Sequence, residues 1–299
     1  MTDTAGTSAG FIAITGVPNV GKSSLLNFLA GGKLSIISHK PQTTRQNITA
    51  IVEEGTAQAV FVDTPGFLNP EYGLQRTMVR NVRQACDDDS DIILFVTEPR
   101  KPIPEELKLA ELVARCNRTV YLAVNKTDTV GEKKQAEAAA EGLKPLLNFQ
   151  EVFYVSAKTG AGLKNLRHTL LKALPQHPHY FPDGQWTDRW ERFYTAEFIR
   201  EQIFHLFDEE IPYCCAVEIE LFHELKDRPD QIRAIIHVER EGQKGIVVGK
   251  GGAMIKKLRE ASQKEIEKFL GRKVYLELFV KTTPDWRNRK DTLDKFEYL

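Results

Sequence analysis

Between Gly10 and Leu26 the chain reads GFIAITGVPNVGKSSLL, and few folds accept such a stretch. It opens with β-forming apolar residues, breaks at GVPNVGKS (Gly16–Ser23), and resumes with helical periodicity from Lys22 to about Ala30. A strand that is apolar throughout needs cover on both faces, which a parallel sheet between helices supplies. Gly16 and Gly21 let the backbone turn sharply, and the helix start adds the positive end of its dipole. A strand–loop–helix with the spacing G-x-x-x-x-G-K-S is the pattern of a phosphate-binding loop. Lys22 then reaches the β- and γ-phosphates of a nucleotide, and the Ser23 hydroxyl takes Mg²⁺. Val17, Pro18, Asn19 and Val20 within the loop, and Ser24 behind it, complete the cradle.

The pattern repeats along the first half. QAVFVDTPG, DIILFVTE, TVYLAVNK and EVFYVSAK read as further buried strands. Helical stretches fall at Gln75–Cys86, Pro104–Arg115, Glu132–Leu147 and Gly162–Leu174. The expectation is an α/β domain with a parallel-type sheet covered by helices, spanning 1–174, with ligands beyond the carboxyl ends of its strands. LPQHPHYFPDGQWTDR has three prolines and no period. It reads as a linker or docking segment, 175–190. From 191 to 299 the order changes to a helix (about Trp190–Phe207), a hairpin (CCAVEIELFHEL and QIRAIIHVER), a second glycine loop, a helix (Ala253–Leu270) and the strand KVYLELFVK. That describes a smaller α+β domain.

Charge enters only locally. The chain holds 41 Lys or Arg against 41 Asp or Glu, so net charge points to no partner. Between Lys244 and Lys290, however, 13 Lys or Arg face 5 Asp or Glu, a net of +8 that suggests a local polyanion site. Cys86, Cys116, Cys214 and Cys215 form no C-x-x-C pair and have no histidine cluster beside them. That argues against zinc in these cysteines and for buried free thiols in a reducing cytosol. The N-terminus lacks a signal-peptide pattern, and no apolar run nears the ~20 residues a bilayer span requires.

Two strings identify the base. In NKTD (Asn125–Asp128) a buried Asp128 carboxylate can accept from N1–H and the 2-amino group of guanine. Adenine offers neither donor on that edge. SAK (Ser156, Ala157, Lys158) ends the next strand, where its backbone can meet the guanine carbonyl and the stems of Lys126 and Lys158 can cover base and ribose. In DTPG, Asp63 is placed to hold Mg²⁺ through water, followed by Thr64 and Pro65. The Gly66 N–H can meet a γ-phosphate and swing away when it leaves. KPQTTRQ offers Thr43 and Thr44 as further Mg²⁺ ligands, of which Thr44 is preferred.

Together GVPNVGKSSLLN, PQTTR, DTPGF, NKTD, SAK, the segment PHYFPDGQWTDR, RFYTAEFIRE and the second glycine loop resemble the translation-factor-like small GTPases, and most closely the bacterial Era family. The resemblance covers nearly the whole chain. It implies a P-loop GTPase domain joined to a KH RNA-binding domain, GTP or GDP with Mg²⁺ as ligands, binding near the 3′ end of small-subunit ribosomal RNA, and a part in small-subunit maturation. It further implies a cytoplasmic monomer with no DNA partner, and leaves open peripheral association with the inner face of the cell membrane.

Hydrolysis poses a problem. Many GTPases orient the attacking water with a glutamine just past the D-x-x-G glycine. Here Phe67 and Leu68 follow Gly66, and Asn69 precedes a proline. Slow turnover is expected, with Lys22, Gly66 and Asn19 as the catalytic set. In GTPases that resemble this one, an asparagine at Asn19 helps hold K⁺ beside the phosphates; Asn19 can equally be a turn residue.

The second glycine loop, GKGG (Gly249, Lys250, Gly251, Gly252), lacks the G-K-[ST] ending and is no second nucleotide site. It fits the G-x-x-G loop of a KH domain, which clamps single-stranded RNA over about four nucleotides. Bare glycine at Gly249 and Gly252 would admit the RNA backbone. Ile246, Val247, Val248 and Ile255 would line the base groove, while Lys256, Lys257 and Arg259 would meet phosphates. Trp286 could stack on a base or anchor the tail, with Arg287 beside it. Two functions follow: a GTP-hydrolysing switch that controls RNA binding, or an RNA-binding assembly chaperone with GTP as a structural ligand.

Overall fold

A computed structural model describes residues 6–130 and 133–298, in two compact units: Met1–Glu71 with Gln75–Asp188, and Tyr72–Leu74 with Arg189–Leu299. The first runs Ser8–Thr15 (β1), Lys22–Ala30 (α1), Ile48–Glu54 (β2), Ala57–Asp63 (β3), Gly73–Asp87 (α2), Ile92–Thr97 (β4), Pro104–Arg115 (α3), Thr119–Val124 (β5), Lys133–Leu143 (α4), Val152–Tyr154 (β6) and Leu163–Lys172 (α5). Its sheet has the order β2-β3-β1-β4-β5-β6. Five strands are parallel, and β2 lies antiparallel on β3, with Ile51 opposite Val60. The sequence analysis left out β2. Its residues ITAIVEE carry no clean alternation, and only the two-residue turn at Gly55 makes it a hairpin partner. The expected helix start at Glu132 lies outside the described residues, and α4 ends at Leu143 rather than Leu147.

Burial follows the apolar runs. Every residue of β4 is buried. On one face Val79 and Val82 of α2, Leu109 and Val113 of α3 and Ala139 and Leu143 of α4 pack against Phe95 and Leu122. On the other, α1 and α5 touch each other and β3. Strand order reverses at β1, whose neighbours β3 and β4 lead away in opposite directions. The crevice at its carboxyl end is where an open α/β sheet receives a ligand.

The proline-rich segment is fastened along the first unit. Ala9 N–H donates to Pro175 O, His177 N–H to Thr7 O and Ile51 N–H to Trp186 O. Fully buried Gln58 does most of the fastening. Its Oε1 accepts the N–H groups of Tyr180 (2.8 Å) and Phe181 (3.0 Å), and its Nε2 donates to Phe181 O (2.9 Å). The Tyr180 ring meets Phe11 edge-on at 4.8 Å. Compact-unit boundaries put this segment, through Asp188, with the first unit.

The second unit runs Glu191–Leu206 (α6), Ile211–Cys214 (α7), Ala216–His223 (β7), Asp230–Val238 (β8), Glu241–Val248 (α8), Ala253–Leu270 (α9), Val274–Thr282 (β9) and Lys290–Lys295 (α10). β8 is central, antiparallel to β7 and parallel to β9. α6, α8 and α9 pack together and onto the sheet. GIVV, which precedes the glycine loop, is the end of helix α8. Cys214 closes a short helix rather than lying in a strand. All four cysteines are free and buried, and burial pushes the Cys86 thiol up to about 12. Among the described residues no helix is long and apolar enough to cross a membrane.

Gln58→Ala removes three bonds to the docked segment and leaves the part-buried Tyr180 and Phe181 amides without that acceptor. It is expected to cost about 1–3 kcal/mol in urea denaturation and to open residues 176–188 to proteolysis.

Candidate nucleotide cleft and nucleic-acid face

The loop after β1, the starts of α1 and the strand-end segments after β3, β5 and β6 surround a cleft of about 880 Å³, a size suited to a nucleotide. Pro18, Asn19, Gly21, Lys22, Ser23 and Ser24 line one side, and Asn125, Lys126, Asp128, Ala157 and Lys158 the other, with Thr43, Thr44 and Gly66 between.

Buried Asn125 ties these walls together. Its Nδ2 donates to Val20 O (2.8 Å) and its Oδ1 accepts from Ala157 N–H (2.9 Å). The phosphate loop and the NKTD and SAK strings are thus joined through one amide. Gly21 makes the approach possible: a Cβ there would sit 2.3 Å from Asn125 Nδ2, and its φ of +95° lies in the left-handed region.

At the phosphate end, three hydroxyls converge on one carboxylate. Ser23 Oγ donates to Asp63 Oδ2 at 2.7 Å and lies 3.0 Å from Thr44 Oγ1. Ser35 Oγ also donates to Asp63 Oδ2, at 2.7 Å. Asp63 Oδ1 is buried without a partner. An all-oxygen set with an orphaned carboxylate oxygen fits Mg²⁺. Burial raises the Asp63 carboxyl above its usual range, while Lys22 and the hydroxyls of Ser23, Ser35 and Thr44 pull it down. Burial pushes the Lys22 ammonium down to about 8, against the pull of Asp63. Its Nζ rests on the carbonyls of Gly16 (3.1 Å) and Val17 (2.9 Å), poised beneath the cleft. Thr43 turns away and donates to Lys40 O.

Other expected residues sit differently. Val17 and Val20 point into the core, so only their backbone can face a phosphate. Thr64 is buried and donates to Ile14 O, and buried Pro65 lies off the cleft wall. Gly66 packs so closely on Pro18 that a Cβ would fall 2.7 Å from it. Asp128 is exposed rather than buried. Its carboxylate accepts from Ser156 Oγ at 2.6 Å, which holds it below the usual range, and desolvation must come from the base itself. Lys126 pairs with Glu98 at 2.5 Å, and Lys158 is exposed. Asn19 adopts a φ of +66° and gives its Nδ2 to His39 O at 3.0 Å. Phe67 is sealed in the core, and Asn69 is held at the surface by Lys108 and Glu105.

The sequence analysis missed Ser35, Phe28, Ile37 and His39 in this site. Only Asn27 carried a local signal for them: its Oδ1 accepts Leu34 and Ser35 N–H, curling that loop over the cleft.

In the second unit the GKGG loop joins α8 to α9. The two outer glycines have different reasons. A Cβ at Gly249 would meet Met254, including its backbone N at 2.9 Å, so this glycine serves the turn. A Cβ at Gly252 would meet nothing within 4 Å, so this one faces open space at the α9 N-terminus. Ile246, Lys250, Gly251, Lys256 and Lys257 are exposed, and Val248, Ile255 and Arg259 are half-buried. Three expected contacts fail. Val247 is fully buried and cannot line a groove. Trp286 is 0% exposed, donates Nε1–H to Cys214 O at 2.7 Å and packs against Phe296 and Tyr298, so it anchors the tail. Arg287 is half-buried and paired with Glu239.

Comparison with known proteins places both halves. Residues 11–126 match the family model described as 50S ribosome-binding GTPase, and residues 210–287 that of the KH domain. The chain is 46% identical to GTPase Era of Elusimicrobium minutum over 97% of both chains, and 41% identical to GTPase Era of Carboxydothermus hydrogenoformans over 97% of both. Among solved structures, an Aquifex aeolicus Era variant bound to GDP·AlF4⁻ superposes with a TM-score of 0.93 at 36% identity, covering 98% of this chain and 99% of that one. Era in complex with MgGDPNP and nucleotides 1506–1542 of 16S ribosomal RNA gives 0.92 at 36%, with the same coverage.

Asn125→Ala unties the cleft walls and is expected to weaken GDP binding at least about tenfold by calorimetry, since one buried and one part-buried hydrogen bond go. Gly252→Asp puts a carboxylate where the backbone is bare. Asp tolerates the left-handed region, so the unit stays folded while single-stranded RNA affinity, read by anisotropy, drops about tenfold or more.

Proposed function

The chain belongs to the GTPase Era family, and on that footing we propose that it binds and hydrolyses GTP, binds single-stranded RNA near the 3′ end of small-subunit ribosomal RNA, and assists assembly of the small ribosomal subunit in the cytoplasm. The observation that carries this reading is the Asn125 bridge, which sets a phosphate loop and a guanine-reading carboxylate in one cleft. Relatives similar over the full chain were captured with GDP·AlF4⁻, with MgGDPNP and with 16S RNA.

In this reading Gly16 through Ser24 cradle the phosphates with backbone N–H groups, and Lys22 leaves its two carbonyls to meet the β- and γ-oxygens. Ser23 and Thr44 would hold Mg²⁺, with Asp63 behind them; the ion would offset negative charge on the phosphates. Gly66 offers its N–H to the γ-phosphate. Asp128 accepts from the guanine edge while Ser156 orients it, and the stems of Lys126 and Lys158 cover the base. Ile246, Val248 and Ile255 would take RNA bases, and Lys250, Lys256, Lys257 and Arg259 phosphates.

Of the residues just past Gly66, Phe67 is in the core and Asn69 is committed to Lys108, so neither is placed to orient an attacking water. Intrinsic hydrolysis is therefore slow. With Nδ2 given to His39, the Asn19 amide oxygen is the atom that would meet K⁺. The reading of GTP as a passive structural ligand is not favoured, because AlF4⁻ beside GDP imitates a phosphoryl group in transfer. Peripheral attachment to the inner face of the membrane is a finer proposal. Flotation with anionic vesicles tests it, and full recovery in the soluble fraction overturns it.

A multiple-turnover assay with and without the 3′ RNA fragment tests the main proposal; absence of phosphate release under both conditions would exclude it. Turnover should be faster in K⁺ than in Na⁺ at equal ionic strength. Asn19→Gly, which keeps the left-handed turn, should abolish that difference.

A further inference from the structure

Among the described residues outside the cleft, one cluster brings metal-binding atoms together. Glu53 closes β2, and His179 and Asp183 lie in the docked segment. One oxygen of each carboxylate and one imidazole nitrogen all lie within 4.8 Å of one another. The imidazole is oriented from behind. His179 Nε2 lies 3.2 Å from Thr56 O, and a carbonyl can only accept, so Nε2 carries the hydrogen. In the neutral ring Nδ1 is then a bare lone pair. It faces Asp183 Oδ1 at 3.3 Å, lone pair against carboxylate. A cation between them turns that repulsion into two bonds. A backbone carbonyl fixing the far nitrogen is also how metal-binding histidines are usually held.

We propose that Glu53, His179 and Asp183 form a site for a divalent transition-metal ion of the Zn²⁺ class, which clamps the docked segment to the β2–β3 hairpin. Two carboxylates and an imidazole suit Zn²⁺ better than Mg²⁺, which avoids nitrogen. Zn–N and Zn–O bonds near 2.0–2.2 Å require the three atoms to draw closer than they stand. Asp183, with its side chain 89% exposed, has room to do so. Glu53 is already positioned by Gln58 Nε2 (3.0 Å) and Gly184 N–H (3.3 Å), with lone pairs to spare.

The test uses the full chain, stripped of metal and then saturated with GDP and Mg²⁺ so that the nucleotide site is filled. Zn²⁺ is titrated by calorimetry into wild type, His179→Ala and Asp183→Asn. The expected result is one Zn²⁺ bound per wild-type chain, with affinity at least about tenfold weaker in both variants. Zn²⁺ should also slow hydrogen exchange at the Tyr180, Phe181 and Gly184 amides in wild type only. Asp183→Asn alters an exposed side chain and keeps the test decisive if His179→Ala does not fold. Equal Zn²⁺ uptake by wild type and Asp183→Asn, or none by wild type, would overturn the proposal.

Discussion

A single buried amide holds the nucleotide site in shape. Asn125 spends its Nδ2 on the phosphate loop and its Oδ1 on the strand-end string SAK, across sequence separations of 105 and 32 residues. Everything that discriminates a ligand depends on that spacing. The phosphate end is set by Lys22, Ser23 and Asp63, the base end by Asp128 and Ser156, and only a fixed distance between the ends lets one molecule satisfy both. Gly21 is part of the same constraint, since any side chain there would occupy the space the amide needs.

The site is built for a ligand that carries its own desolvation. Lys22 and Asp63 are both buried, and burial works against the charge of each. A triphosphate with its cation supplies what these groups lack: anionic oxygens for the ammonium and a partner for the orphaned Asp63 oxygen. Asp128 is the opposite case. It waits exposed, already charged and oriented by Ser156, and becomes dry only when a base covers it.

The sequence made the first unit legible where local chemistry is strong. Apolar strands, the phosphate loop, and the limits of α1 and α3 could all be read from neighbours, as could those of α9 in the second unit. Strand β2 could not, because its pattern is set by an antiparallel partner and not by its own alternation. Nor could the fate of Val247 and Trp286. An apolar residue beside a glycine loop can face a groove or the core, and only the packing of α8 and of the tail residues Phe296 and Tyr298 decides. Asp128 illustrates a subtler limit: the string NKTD fixes the atoms but not whether the empty site hides them. Prolines marked the 175–190 stretch as a linker or docking segment without deciding between them; Gln58, whose single letter gives no hint of its three bonds, pins it down.

That pinning bears on how the protein avoids sticking to itself. β2 is one of the two outer strands of the sheet, and an unpaired outer strand offers its amides to any other chain. Ile51 donates outward to Trp186 O, so the docked segment lies along that border as a guard rail. Losing the segment would expose a ready-made template for edge-to-edge aggregation. The stretch that the prolines mark as a linker or docking segment thus also covers backbone groups of an edge strand.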